Sequence, residues 1–110
     1  MNELVERLAQ GDHPVIANRG DRDAADFKQR IDNGYVFIKF TDTQGGTELG
    51  TSLDKDATNL SEADFEAGTG SVHLVGNLTL NYVRVRCVAD IDLATMEGTG
   101  HLEILEEVEP

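Results

Sequence analysis

Tryptophan is absent from this chain, cysteine occurs once, and lysine occurs only as Lys28, Lys39 and Lys55. Each shortage excludes something. A lone Cys87 rules out an internal disulfide and any cysteine-rich zinc pattern. It falls on an apolar strand face, where a small buried hydrophobe is the expectation rather than a reactive thiol. No apolar run approaches the ~20 residues of a membrane-spanning helix. The opening M-N-E-L-V-E-R-L-A-Q is amphipathic and carries acids, unlike a secretory leader. These features predict a soluble, cytoplasmic chain with no membrane partner.

Bases are scarce too. Nine stand against 21 acids, a formal charge of −12. That charge repels a phosphate backbone, so the sequence predicts no direct nucleic-acid contact. A basic partner protein or solubility at high salt fits it. The 110 residues are expected to form one domain with a modest core.

Residues 2–10 carry Leu4, Val5 and Leu8 on one helical face, with Asn2 placed to cap the start and Gly11 the end. Gly11-Asp12-His13-Pro14 reads as a connector, followed by the apolar Val15 and Ile16 and a turn at Asn18-Arg19-Gly20-Asp21. The R-G-D within that turn matches an adhesion tripeptide, and is read as coincidence. A second helix is expected over 21–34, capped by Asp21 or Asp23, striped by Ala24, Phe27 and Ile31, and stopped by Asn33-Gly34.

From Tyr35 the period falls from 3.6 to 2. Tyr35, Phe37 and Lys39 point one way and Val36, Ile38 and Phe40 the other, and Gln44-Gly45-Gly46 turns the chain into a return strand through Leu49 and Leu53. Residues 54–70 are irregular. Ser61-x-x-Asp64 resembles a capping box and suggests a helical turn over 62–66. Asp54-x-Asp56-x-Thr58 fails as a calcium loop, because Asn59 stands where glycine is needed and Phe65 where the bidentate glutamate belongs.

The remainder reads as β structure. Gly76-Asn77 suits a hairpin turn. Val83, Val85, Cys87, Ala89, Ile91 and Leu93 share one face, with Arg84, Arg86, Val88, Asp90 and Asp92 on the other, the pattern of a half-buried antiparallel strand. A strand over 78–93 would be very long, so a bulge is expected near Asn81-Tyr82. Residues 94–100 turn and 101–108 return, with Leu102, Ile104 and Val108 together and a solvated tail beyond. G-T-G occurs twice, at 68–70 and 98–100. Neither copy leads into a helix or carries the lysine of a phosphate loop, so both read as turns at the start of strands.

The expected fold is therefore α+β, with two short N-terminal helices packed on a meander-like antiparallel sheet of four to five strands. No catalytic constellation, cofactor loop or metal motif is legible. The candidate contact residues are Arg84 and Arg86, which share a strand face and could clamp one carboxylate, His73 and His101, which a meander could bring near Asp90 and Glu103, and Tyr82. The favoured function is a non-enzymatic accessory domain, with an acidic surface or a sheet face that binds another protein or a second copy of itself. The alternative is a small-molecule binder or enzyme with a pocket between helices and sheet, lined by Phe27, Tyr35, Phe37 and Tyr82.

Overall fold

The computed structural model describes residues 3–18 and 23–108. In chain order they form α1 (Glu3–Leu8), β1 (His13–Ala17), α2 (Ala24–Asn33), β2 (Tyr35–Phe40), β3 (Thr47–Leu53), β4 (Ala63–Asp64), β5 (Thr69–Leu80), β6 (Val83–Asp92) and β7 (Glu97–Glu107). The strands run β3-β2-β1-β7-β6-β5-β4, every pairing is antiparallel, and an additional β3–β5 pairing joins the row to itself. Six strands thus close a ring, with β4 hung on the outside of β5.

This is a mainly-β fold of seven strands with two small helices, not two helices on a sheet of four to five strands. Consecutive strands are antiparallel neighbours in two runs, β1–β2–β3 and β4–β5–β6–β7, which the β1–β7 pairing joins. The main error is β1. Gly11-Asp12-His13-Pro14 looks like a connector and Asn18 like the start of a turn, yet β1 lies between β2 (Val15↔Phe40) and β7 (His13↔Gly100). Pro14 survives at the second position of the strand and its carbonyl accepts from Thr41 N–H (3.1 Å). The expected helical turn over 62–66 is instead β4, with Ala63 paired to Gly70.

The interior follows from alternation. Val15 and Ala17 of β1, Val36, Ile38 and Phe40 of β2, and Val83, Val85, Cys87, Ala89 and Ile91 of β6 all turn inward and are buried. The expected apolar face of β6 is therefore the wall of the barrel, and Leu93 is buried beyond its end. Val5 and Leu8 of α1 and Phe27 and Ile31 of α2 complete the core. A six-residue helix has no independent stability, so α1 exists because these two side chains are buried. Asp23 caps α2 by accepting from Ala25 and Asp26 N–H (3.0 and 3.2 Å), and Gly34 ends it at φ 84°. Asn2, Asp21 and the R-G-D lie outside the described residues.

The β5–β6 turn is displaced from its expected place. Gly76-Asn77 continues β5, and the chain reverses at Asn81-Tyr82, where both residues have positive φ (50° and 64°). Gly76 is needed for a different reason: a Cβ there would collide with Thr51 Cγ2 and come 2.6 Å from the Ser52 carbonyl. Its bareness lets β3 approach β5 and close the ring. The expected bulge is also displaced, to the step between Arg84 and Val85 opposite β7. The two G-T-G copies differ. The first leads into β5, with Gly68 just before the strand and Gly70 its second residue, both at positive φ, whereas the second lies inside β7, after a turn that ends at Met96.

Candidate interaction surface

The outward-facing residues form rows around the ring. Tyr35 of β2 is paired with Ser52 of β3, Ser52 with Asn77 of β5, Asn77 with Arg86 of β6, and Arg86 with Glu103 of β7. One neighbouring row runs Thr79–Arg84–Glu106, and on the other side lie Val75–Val88–His101 and His73–Asp90–Thr99. Strand alternation places these residues outside because their neighbours are committed to the core.

The bulge changes what the surface presents. Val85 faces Ile104, but Arg84 faces Glu106, so Leu105 is the extra residue on β7. A bulged residue leaves the in–out alternation, and Leu105 is 50% exposed beside Arg84. With Ser52, Asn77, Thr79 and Arg84 it lines a concavity of about 410 Å³. Ile104 and Val108 are exposed nearby, and the Val108 N–H bonds to the Tyr82 carbonyl (2.7 Å). Tyr82 is 63% exposed. Of the exposed large apolar side chains among the described residues, only Tyr35 lies away from this end of β6–β7, and it stands at the far end of the Ser52 row.

The five candidate residues are all on or beside this face, but they do not form one cluster. Arg84 Nη1 donates to Glu106 Oε1 (3.0 Å), with both side chains more than half exposed. Such a pair contributes roughly 0–1 kcal/mol. Arg86 has Glu103 directly across from it, yet Glu103 lies 3.3 Å from His101 Nε2, and the buried Nε of Arg86 has no acceptor. The two arginines therefore do not converge as a clamp. His101 also approaches Asp12 at 3.4 Å. His73 Nδ1 lies 2.7 Å from Asp90 Oδ1, two residues further along the sheet. Each histidine finds a carboxylate, but the pairs stay in separate rows. Among the described residues no three His, Cys, Asp or Glu side chains come together in a metal-holding group.

The aromatic pocket does not assemble either. Phe27 is fully buried, Tyr35 and Phe37 meet edge to face on the outside of β2 (5.5 Å between rings), and Tyr82 stands in its turn. Burial pushes the Cys87 thiol up to about 12, which matches the small buried hydrophobe expected.

Sequence reading passed over Leu105, and it set Tyr35 in a pocket between helices and sheet rather than on this outer row. The signal for Leu105 is the adjacency of Ile104 and Leu105, which doubles an apolar position in an otherwise alternating strand. Tyr35 gives no such signal, because its place depends on β3 meeting β5.

Among protein-family models, the one described as core binding factor beta subunit matches residues 16–109, from the second half of β1 to beyond β7. No curated protein matches the chain closely enough to count as a relative. A beta subunit acts together with another protein chain, so the match brings a protein partner and a non-enzymatic, interaction role. Among the described residues no helix is long and apolar enough to cross a membrane.

Proposed function

The chain belongs to the core binding factor beta subunit family, and from that premise we propose that it is the accessory subunit of a complex whose other member is a transcription factor. The partner docks on the outer face of β5–β6–β7, centred on Tyr82, Arg84 and Leu105. Arg86 and His101 lie at the flank, and His73 falls outside the contact.

The observation that carries this reading is Tyr82. Its φ of 64° in a two-residue hairpin turn is a conformation that glycine adopts without strain and a bulky aromatic adopts at a cost of about 1–3 kcal/mol. Within the free chain its ring is mostly in solvent. An exposed aromatic held under strain near an arginine and the exposed Leu105 and Val108 has the composition of an interface centre. The partner contacts nucleic acid and this chain, at −12, does not. A lone buried cysteine fits work inside the cell.

The test is affinity for the transcription-factor subunit. Leu105→Glu is expected to weaken it more than about tenfold, and Tyr82→Gly similarly, without loss of fold. Wild-type affinity in both variants would remove this face from the proposal. An apolar centre also predicts a shallow salt dependence. Steep weakening with salt would instead assign the contact to the acidic surface at large.

A further inference from the structure

The ladder that closes the ring is very short. It holds Leu53↔Gly76 and Ser52↔Asn77. In the same register Thr51 would next meet Leu78, and Gly50 would meet Thr79, but neither pair is made. The direction of the backbone groups follows from parity. Leu53 N–H bonds to the Gly34 carbonyl (2.9 Å), so the odd members of β3 turn to β2, and Ser52 and Gly50 turn to β5. On β5, the Val75 carbonyl accepts from Asp54 N–H (2.8 Å), and His73 exchanges bonds with Asn59, so the odd members turn away from β6. Gly50 and Thr79 therefore aim backbone N–H and C=O into a seam where the two strands diverge.

The pairing stops at Ser52 and Asn77, and the seam runs on toward the start of β3. There Thr47 and Leu80 both line a cavity of about 580 Å³, with Leu4 and Arg7 of α1 also lining it. On the outer face the 410 Å³ concavity begins at Ser52 and Thr79 and runs to Leu105. Tyr35 lies across Gly50, so any Cβ there would collide with its hydroxyl.

We propose that this seam receives an extended segment of the partner protein, with backbone hydrogen bonds to Gly50 and Thr79. Its side chains alternate between the cavity below and the band from Tyr35 to Leu105 above. The inference rests on the docking face proposed above and adds which kind of element enters it. Only an extended chain presents N–H and C=O groups at strand spacing to both edges. Its source is the partner rather than a second copy: the seam shares Thr79, Arg84 and Leu105 with the docking face, and a second copy would set one chain of −12 against another. The same charge favours a segment that is neutral or basic.

Thr79→Pro tests the inference. Proline removes the N–H that points into the seam and spares the β5–β6 ladder, and the preceding Leu78 is already extended, as proline requires. The probe is a random nonapeptide display library selected on the immobilised wild-type chain. Enriched peptides are expected to alternate apolar residues and avoid acids. They should bind Thr79→Pro about tenfold more weakly, while its melting temperature stays within about 2 °C of wild type. Bound peptide should also slow amide exchange at Gly50 and Thr79 in the wild-type chain. That second measurement decides the matter if Thr79→Pro is destabilised. Failure of any peptide to enrich, or equal binding to Thr79→Pro with unprotected amides, overturns the insertion. If Leu105→Glu abolishes partner binding and Thr79→Pro leaves it intact, the docking face stands and the insertion falls. If peptides protect Thr79 but Leu105→Glu leaves partner binding unchanged, the docking face is the part that fails.

Discussion

The Nδ1 of His13 lies 2.8 Å from Oδ2 of Asp42, and its other ring nitrogen lies 3.0 Å from the carbonyl of Gln10. Both neighbours accept, so the geometry is satisfied in full only by the doubly protonated ring. This imidazolium joins the end of α1 to the first residues of the β2–β3 turn, and Arg7 adds a bond to the Asp42 carbonyl (2.9 Å). The hydrogen bond to Asp42 holds the His13 pKa above its ordinary 6.5, and the same bond holds the Asp42 carboxyl below the ordinary carboxylate range.

Stability should therefore depend on pH in a definite sense. His13 has a raised folded value, so its contribution is complete below about 6.5 and is lost as pH rises through the folded value. Asp42 has a lowered value, so its contribution is present above about 4 and is lost as pH falls through the folded value. Thermal melts should be highest between these limits. His13→Gln should flatten the alkaline limb and cost about 1–3 kcal/mol at pH 6. An unchanged alkaline limb would mean that the clasp does not titrate as described.

Tyr82→Gly should separate stability from binding. Relief of positive φ is expected to raise stability by about 0.5–1 kcal/mol in denaturant unfolding. Binding should fall in the same protein. A destabilised Tyr82→Gly would mean that the ring packs on the chain itself.

Phe27→Ala should be severe. The ring is fully buried and anchors α2 to the barrel. Loss of about 3–5 kcal/mol is expected from urea unfolding, from lost burial and the cavity left behind.

His73→Ala should matter little. The pair with Asp90 is short, but its side chains are 42% and 63% exposed. Such pairs contribute within about 1 kcal/mol, and partner affinity should not change. A large loss of either would return His73 to the functional face.

Cys87 should report global unfolding. With its thiol pushed up to about 12 inside the barrel, labelling by a thiol reagent at pH 8 should be negligible in the native state. It should follow the same denaturant midpoint as the loss of β structure. Fast native labelling would reveal local opening of β6.

The parts legible from sequence were those in which one element's own pattern decides its state. The β6 alternation, the Gln44-Gly45-Gly46 turn, α2 with its Asp23 and Gly34 caps, and Cys87 in the core all follow from local chemistry. The failures share a different cause. β1 is too short to show a period, and its state is decided by β2 and β7 on either side. Gly76 carries a turn-like signal that arises from the closeness of β3 rather than from a turn. Asn81-Tyr82 lacks the glycine that marks such hairpins, so local chemistry points to Gly76-Asn77 for a reversal that occurs at Asn81-Tyr82. The candidate arginines and Tyr82 stand out in the sequence because charge and aromatic content are visible in one dimension. Their neighbour Leu105 depends on a register shift between strands, which is not.

The pairing of β1 with β7 has a consequence for synthesis. His13 meets Gly100 and Ile16 meets Glu97, so strands from opposite ends of the chain are neighbours. A ribosome releases β1 long before its second flank exists, and the ring cannot close until the last strand has emerged. Contacts of such sequence separation slow folding. Until then β1 is an open template, held on one side only by β2, and the nascent chain depends on speed of release, or on a chaperone, to keep that edge from a wrong strand.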